Sequence, residues 1–257
     1  MFSNKLLAAF FVMTLAGCGG GDDEFALPPS AGGGGGTAGG PAYDPSTATG
    51  TITGSIFFEG TAPTPRRIPT TQDANCTVEV TDESVLVTDD SKLQNVIVYV
   101  DSGHEGASYP VPTTPVVLDQ MNCRYNPHVL TMMASQPLEI RNSDPTSHNI
   151  HASPNLNMVF NFGQTRQGMV NTETFGVAEY MPPIPVQCDV HRWMNSNIGV
   201  FDHPFHTASG NTGTYSISVP PGTYEIMAWH EEYGEMASTV EVADGETVTL
   251  DFTYSAD

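Results

Sequence analysis

The sequence predicts an all-β protein, long enough for two sandwiches, and three observations lead there. Short runs rich in β-branched and aromatic residues recur from Gly50 onward. Twenty prolines and 25 glycines punctuate the chain and interrupt these runs at short intervals. No long window keeps the 3.6-residue apolar period of an amphipathic helix.

The runs follow in order. Thr51–Phe58 and Gln94–Val100 come first, then Pro137–Arg141, Ile198–Phe201 and Thr214–Val219. Thr223–Trp229, Ser238–Val242 and Thr247–Tyr254 complete the set. Two sandwiches of about 100 residues each fit in the stretch from Gly50 to the C-terminus.

The first 49 residues have another composition. Lys5 precedes an apolar run, Leu6–Leu15, of signal-peptide length and too short to span a bilayer comfortably. It ends in Leu15-Ala16-Gly17-Cys18, which resembles the lipobox of bacterial lipoproteins. The resemblance implies removal of residues 1–17 and lipidation of Cys18. Residue 19 is Gly and not Asp, which favours the outer membrane, facing the periplasm or the cell surface, over retention at the inner one. The lipid is then the sole membrane attachment. Residues 18–49 hold little besides Gly, Ala, Pro, Ser, Thr and acids and read as a disordered tether reaching roughly 30 Å.

Charge narrows the partners. The formal charge is −21, and without Lys5 the remaining 29 acidic and 7 basic residues carry −22. Nucleic acid is excluded as a partner, whereas basic proteins and metal cations suit such a surface.

The chemistry concentrates in Cys188-Asp189-Val190-His191-Arg192-Trp193-Met194. A thiolate, an imidazole and a thioether at i, i+3 and i+6 supply three donors from one tight loop, as a trigonal copper site with a weak axial sulfur requires. A second imidazole must come from a distant strand, and Asn142-Ser143-Asp144-Pro145-Thr146-Ser147-His148-Asn149-Ile150-His151 supplies His148. This spacing is similar to that of amicyanin-type cupredoxins, as are Tyr125-x-Pro127, the strand ending at Asn142 and the return strand Asn197–Phe201. Arg192 departs from that pattern, where a proline follows the loop histidine.

The resemblance implies a Greek-key cupredoxin sandwich holding one type 1 copper on His148, Cys188, His191 and Met194. Asn149 would support the site by donating its backbone N–H to the Cys188 sulfur. His151, on the opposite strand face, is not a ligand. The His191 ring edge would lie near solvent, in a face formed with Arg192, Trp193 and the loop around His148, with Trp193 either widening that face or covering the copper from within. The implied function is one-electron transfer, without enzymatic activity, to a basic redox protein such as a c-type cytochrome. Two other readings stay open: a non-redox copper-holding or delivery lipoprotein, and a metal-free structural or adhesion module.

Competing uses of the same residues are weaker. Cys123, His128 and Met132 repeat a cupredoxin-like spacing, but His104 is the sole upstream histidine to complete it and has no strand-end signal. The joint spacing argues against Cys188 as an inert buried thiol, and a catalytic Cys188–His191 pair lacks a recognisable orienting partner or oxyanion motif. His203 and His206 read as turn residues at a domain junction, and Met132-Met133 as core filling.

Gly213–Trp229, with its Pro220-Pro221-Gly222 turn, resembles the carboxypeptidase-regulatory, transthyretin-like module. Its opening strand would be Gly50–Ile56 and its second Leu93–Val100. This implies a transthyretin-like sandwich from 50–103 and 206–257, with the cupredoxin domain, 104–205, inserted. With Cys18 lipidated and Cys188 a ligand, Cys76 and Cys123 remain as a disulfide pair joining the two parts in an oxidising compartment.

Overall fold

The computed structural model describes residues 40–256, all of whose extended regular structure is β; a three-residue 3-10 turn, Pro45–Thr47, is the one helical element among them. None of the described helical structure is long and apolar enough to cross a membrane. Cys18 and the glycine run lie outside the described residues. Residues 40–49, which composition assigns to the tether, carry that turn and lay Tyr43 against Tyr109 and Phe205 at ring-centroid distances of 5.0 and 5.5 Å. One aromatic ring against an apolar core outweighs the surrounding polar composition.

The outer sandwich begins with Gly50–Glu59, whose alternating burial puts Ile52, Ile56 and Phe58 in the core. It pairs antiparallel with Thr214–Val219, Gly50 opposite Val219. On its other side it runs parallel first to Thr247–Thr249 and then to Phe252–Ser255. The facing sheet has the order His206–Ala208, Ile97–Ser102, Gly222–His230, Gly234–Val242.

The inserted sandwich packs two sheets over a core that includes Leu118, Ile140, Ile150, Ile184 and Ile198. One sheet has the order Phe160–Gln164, His148–Ala152, Glu179–Gln187, Asn195–Phe201, Val129–Met133. The other runs Val170–Glu173, Leu138–Asn142, Val116–Gln120, Tyr125–Asn126. Val129–Met133 lies parallel to Asn195–Phe201, and Val116–Gln120 parallel to Leu138–Asn142. Parallel neighbours cannot be joined by a hairpin, so the chain crosses between sheets, and residues distant in sequence meet at the sheet ends.

Ile97–Ser102 explains why the run Val96-Ile97-Val98-Tyr99-Val100 shows no polar alternation. Val98 and Val100 enter the outer core, while Ile97 and Tyr99 meet Val129 and Phe201 of the insertion. A strand buried on both faces is apolar on both. Glu231 closes the same junction, its carboxylate accepting from His128 Nε2 at 2.5 Å and Asn197 Nδ2 at 3.2 Å.

Between Gly50–Glu59 and Ile97–Ser102 the chain makes an excursion carrying a two-strand ribbon, Arg67–Ile68 with Val80–Thr81. This strap lies against the insertion. Cys76 and Cys123 form a disulfide across it, Cα–Cα 5.6 Å, as their leftover pairing in the sequence suggests. Arg124 adds a hydrogen bond from Nη2 to the Glu79 carbonyl, 2.8 Å.

Candidate metal centre

Asn142 starts the site. It ends the strand Leu138–Asn142 fully buried, and its side chain ties down the next loop: Nδ2 donates to the carbonyls of Thr146 (2.9 Å) and Gln164 (3.0 Å), and Oδ1 accepts from Asp144 N–H (3.0 Å). The loop then delivers His148 as the first residue of His148–Ala152, with its side chain buried.

The second contribution is the turn between Glu179–Gln187 and Asn195–Phe201. Its ends are closed by Cys188 N–H to the Met194 carbonyl, 3.1 Å, and its interior by Met194 N–H to the His191 carbonyl, 2.8 Å. Asn149 Oδ1 accepts from Asp189 N–H at 2.5 Å and Val190 N–H at 3.3 Å, locking this turn to the neighbouring strand. The Asn149 carbonyl in turn accepts from the Tyr125 hydroxyl at 2.5 Å.

Three donors converge as a result. One donor atom each from His148, Cys188 and His191 lie within 4.8 Å of one another, and all three residues are buried. The two Nδ1 atoms face each other at 2.9 Å, and the His191 N–H points at the Cys188 sulfur at 3.3 Å. Met194 is buried in the same cluster as Cys188. Burial pushes the Cys188 thiol up, but hydrogen bonds from His148 and from the backbone N–H groups of Asn149, His191 and Val190 outweigh it and the net direction is down.

Each imidazole turns its other nitrogen to a carboxylate. His148 Nε2 lies 2.9 Å from Asp144 Oδ2, and His191 Nε2 lies 3.1 Å from Asp73 Oδ2. Such carboxylate–imidazole pairs fix ring orientation and raise ligand basicity. The carboxylates are themselves held. Asn122 and Cys123, with φ of 60° and 55°, form a hairpin turn of the left-handed type and aim their N–H groups at Asp144, at 2.7 and 2.8 Å. Asp73 accepts from the Thr146 hydroxyl at 2.5 Å and from Asn75 N–H at 2.8 Å. The disulfide runs behind both pairs: Cys76 Sγ lies within 4.8 Å of donor atoms of Asp73 and His191, and Cys123 Sγ within 4.8 Å of those of Asp144 and His148.

Asp73, Asp144 and Thr146 are absent from the sequence expectation. Asp144 carried a signal, four positions before His148 in the same loop. Asp73 carried one only through the disulfide, three residues before Cys76.

The expectation for the His191 ring edge is resolved differently. His191 is 3 % exposed, because the strap lays Asp73 over the ring edge that the resemblance leaves near solvent. Trp193, half-buried, packs on the His191 ring at 5.0 Å and donates Nε1–H to the Cys123 carbonyl at 3.0 Å. The competing Cys123 set does not assemble: Cys123 is in the disulfide and His128 is paired with Glu231. His151 lies to the side, with Nδ1 3.2 Å from Asp189.

The donors suit copper on their chemistry: one thiol held toward thiolate, two imidazoles with Nδ1 directed inward, and a buried thioether in the same turn.

No family model and no curated protein matches the chain. Among solved structures, a methionine-to-alanine mutant of amicyanin in its Cu(I) form is 15 % identical, covering 40 % of this chain and 97 % of its own, with a TM-score of 0.30. The copper-containing nitrite reductase from Thermus scotoductus SA-01 is 19 % identical, covering 40 % of this chain and 25 % of its own, also with a TM-score of 0.30. An oxidised methionine-to-leucine mutant of amicyanin is 16 % identical over 33 % of this chain and 80 % of its own, again with a TM-score of 0.30.

Proposed function

We propose that this chain is a type 1 copper protein that carries single electrons at the bacterial cell envelope. His148, Cys188, His191 and Met194 would hold the copper. The observation that carries the reading is the convergence of the two Nδ1 atoms and the Cys188 sulfur in a buried site, with each Nε2 taken by a carboxylate. Copper bound there supplies one-electron exchange between its two oxidation states.

The chain's own residues do the rest. Asp144 and Asp73 hold the imidazoles in one orientation, so little rearrangement is left for a change of charge at the centre. The backbone N–H groups around Cys188 spread negative charge off its sulfur. Burial under the strap keeps solvent away, which favours retention of the ion over its delivery. Four protein donors leave no place for a substrate, which supports a carrier over an enzyme. The lipobox at Cys18 supports a lipid anchor, and the charge of −22 supports a basic partner such as a c-type cytochrome.

Copper(II)-loaded protein is expected to show intense visible absorption from thiolate-to-copper charge transfer, with the narrow paramagnetic-resonance splitting of such sites. Cys188→Ser is expected to abolish the band. A coloured Cys188→Ser protein, or a colourless wild type that holds copper, would overturn the reading.

A further inference from the structure

The two chain crossings between the sandwiches meet at one place. The first leaves Ile97–Ser102 through Gly103, whose φ is 97° and where a Cβ would lie 2.3 Å from the Thr223 carbonyl. Only glycine fits there, and the next residue is His104. The second crossing leaves Asn195–Phe201 and carries Asp202 and His203 before the chain rejoins the outer sandwich at His206–Ala208. One donor atom from each of His104, Asp202 and His203 lies within 4.8 Å of the others, and the two imidazole centroids are 4.1 Å apart.

One nitrogen of each ring has no hydrogen-bond partner among the described residues. His203 is 0 % exposed, and its Nε2 has no hydrogen-bond partner. The Nδ1 of His104 is likewise buried without one. Buried polar atoms left unpaired are costly and rare, so two in neighbouring rings beside a carboxylate point to a missing partner. The supports are in place as well: the Tyr180 hydroxyl donates to Asp202 Oδ1, and the Tyr109 hydroxyl donates to the His104 carbonyl at 2.5 Å. Asp202 is exposed and, with His104, lines a surface cavity that gives an ion a way in.

We propose that His104, Asp202 and His203 form a second metal site, for a borderline divalent cation of the zinc type, which staples the two crossings and so fixes the insertion on its host sandwich. Two imidazoles and one carboxylate are a zinc-type donor set, with water completing the tetrahedron. Phe205 N–H donates to His203 Nδ1 at 3.1 Å. Coordination through Nε2 places the ring proton on Nδ1 and gives up that contact, exchanging one neutral hydrogen bond for a coordination bond. The site shares no residue with the candidate copper centre, so it stands whether or not that reading holds.

The test uses zinc chloride with the full chain carrying Cys188→Ser, which removes the thiolate of the other centre. Native mass spectrometry and calorimetry are expected to find one zinc per chain, together with a higher thermal midpoint that a chelator reverses. Adding His104→Gln or Asp202→Asn, both at residues outside the buried core, is expected to weaken zinc binding at least tenfold and to remove the thermal effect. Failure of the Cys188→Ser protein to take up zinc would overturn the proposal, the two nitrogens then being served by water. So would zinc uptake indifferent to both added substitutions, which would place the ion at His148 and His191.

Discussion

Asp73 and His191 are 118 positions apart in the chain and 3.1 Å apart in space, carboxylate Oδ2 to ring Nε2. The contact crosses from the strap of the outer sandwich to the ligand turn of the insertion. It brings the strap into the candidate metal centre.

Asp73→Asn keeps the shape and removes the charge that holds the His191 ring. Outer-sphere partners of this type are worth about 10- to 100-fold in metal affinity. Copper affinity is therefore expected to fall by at least about tenfold, measured by competition with a chromophoric chelator. Unchanged affinity would show that the turn alone positions His191.

The disulfide carries that carboxylate. Cys76 and Cys123 are 47 positions apart. A loop of this size constrains the unfolded chain by roughly 4 kcal/mol on the chain-entropy account. The double replacement Cys76→Ser with Cys123→Ser is expected to lower stability by about 2–4 kcal/mol in urea unfolding. Amide hydrogen exchange over residues 69–79 is expected to accelerate in the same protein, because the strap loses its anchor.

Met194 is buried against the core beside Cys188. Met194→Leu conserves volume and is expected to cost less than about 1.5 kcal/mol in stability. The same variant is expected to retain the charge-transfer band of the copper-loaded protein while shifting its reduction potential, since the axial bond is weak. Loss of the band would make Met194 a structural support of the turn and not a minor ligand.

His128 and Glu231 join the two sandwiches, 2.5 Å apart. Burial alone would push the His128 pKa down; the hydrogen bond and charge of Glu231, with Glu83 further off, outweigh it and raise it above 6.5. A raised imidazole pKa stabilises the folded state below the unfolded value, and the contribution disappears as pH rises through the folded one. Wild type is therefore expected to exceed Glu231→Gln by about 1–3 kcal/mol on the acid side of neutrality. The gap should narrow as pH climbs past the imidazole range. Urea midpoints of both proteins across a pH series check this, and a gap that widens toward alkaline pH would contradict the assignment.

Short-range information determined much of this protein. The two-residue alternation in Gly50–Glu59 and Thr214–Val219 makes strands because each places every second side chain in a core. Cys188, His191 and Met194 are legible because a single tight turn can carry donors at that spacing, and His148 because a strand start after Asn142 lies in the same local pattern. The Cys76–Cys123 pairing followed from counting the cysteines left once Cys18 and Cys188 are assigned other roles. Other features arise only where distant segments meet. The strap's path over His191, the burial of Ile97–Val100 on both faces and the approach of His104 to His203 depend on how two sandwiches pack. No local period or spacing encodes these, since an aspartate in a polar loop and a histidine in a turn look the same to the sequence whether they face solvent or each other. Tertiary packing decides which, by removing water from one side and leaving the buried polar atom to find its partner.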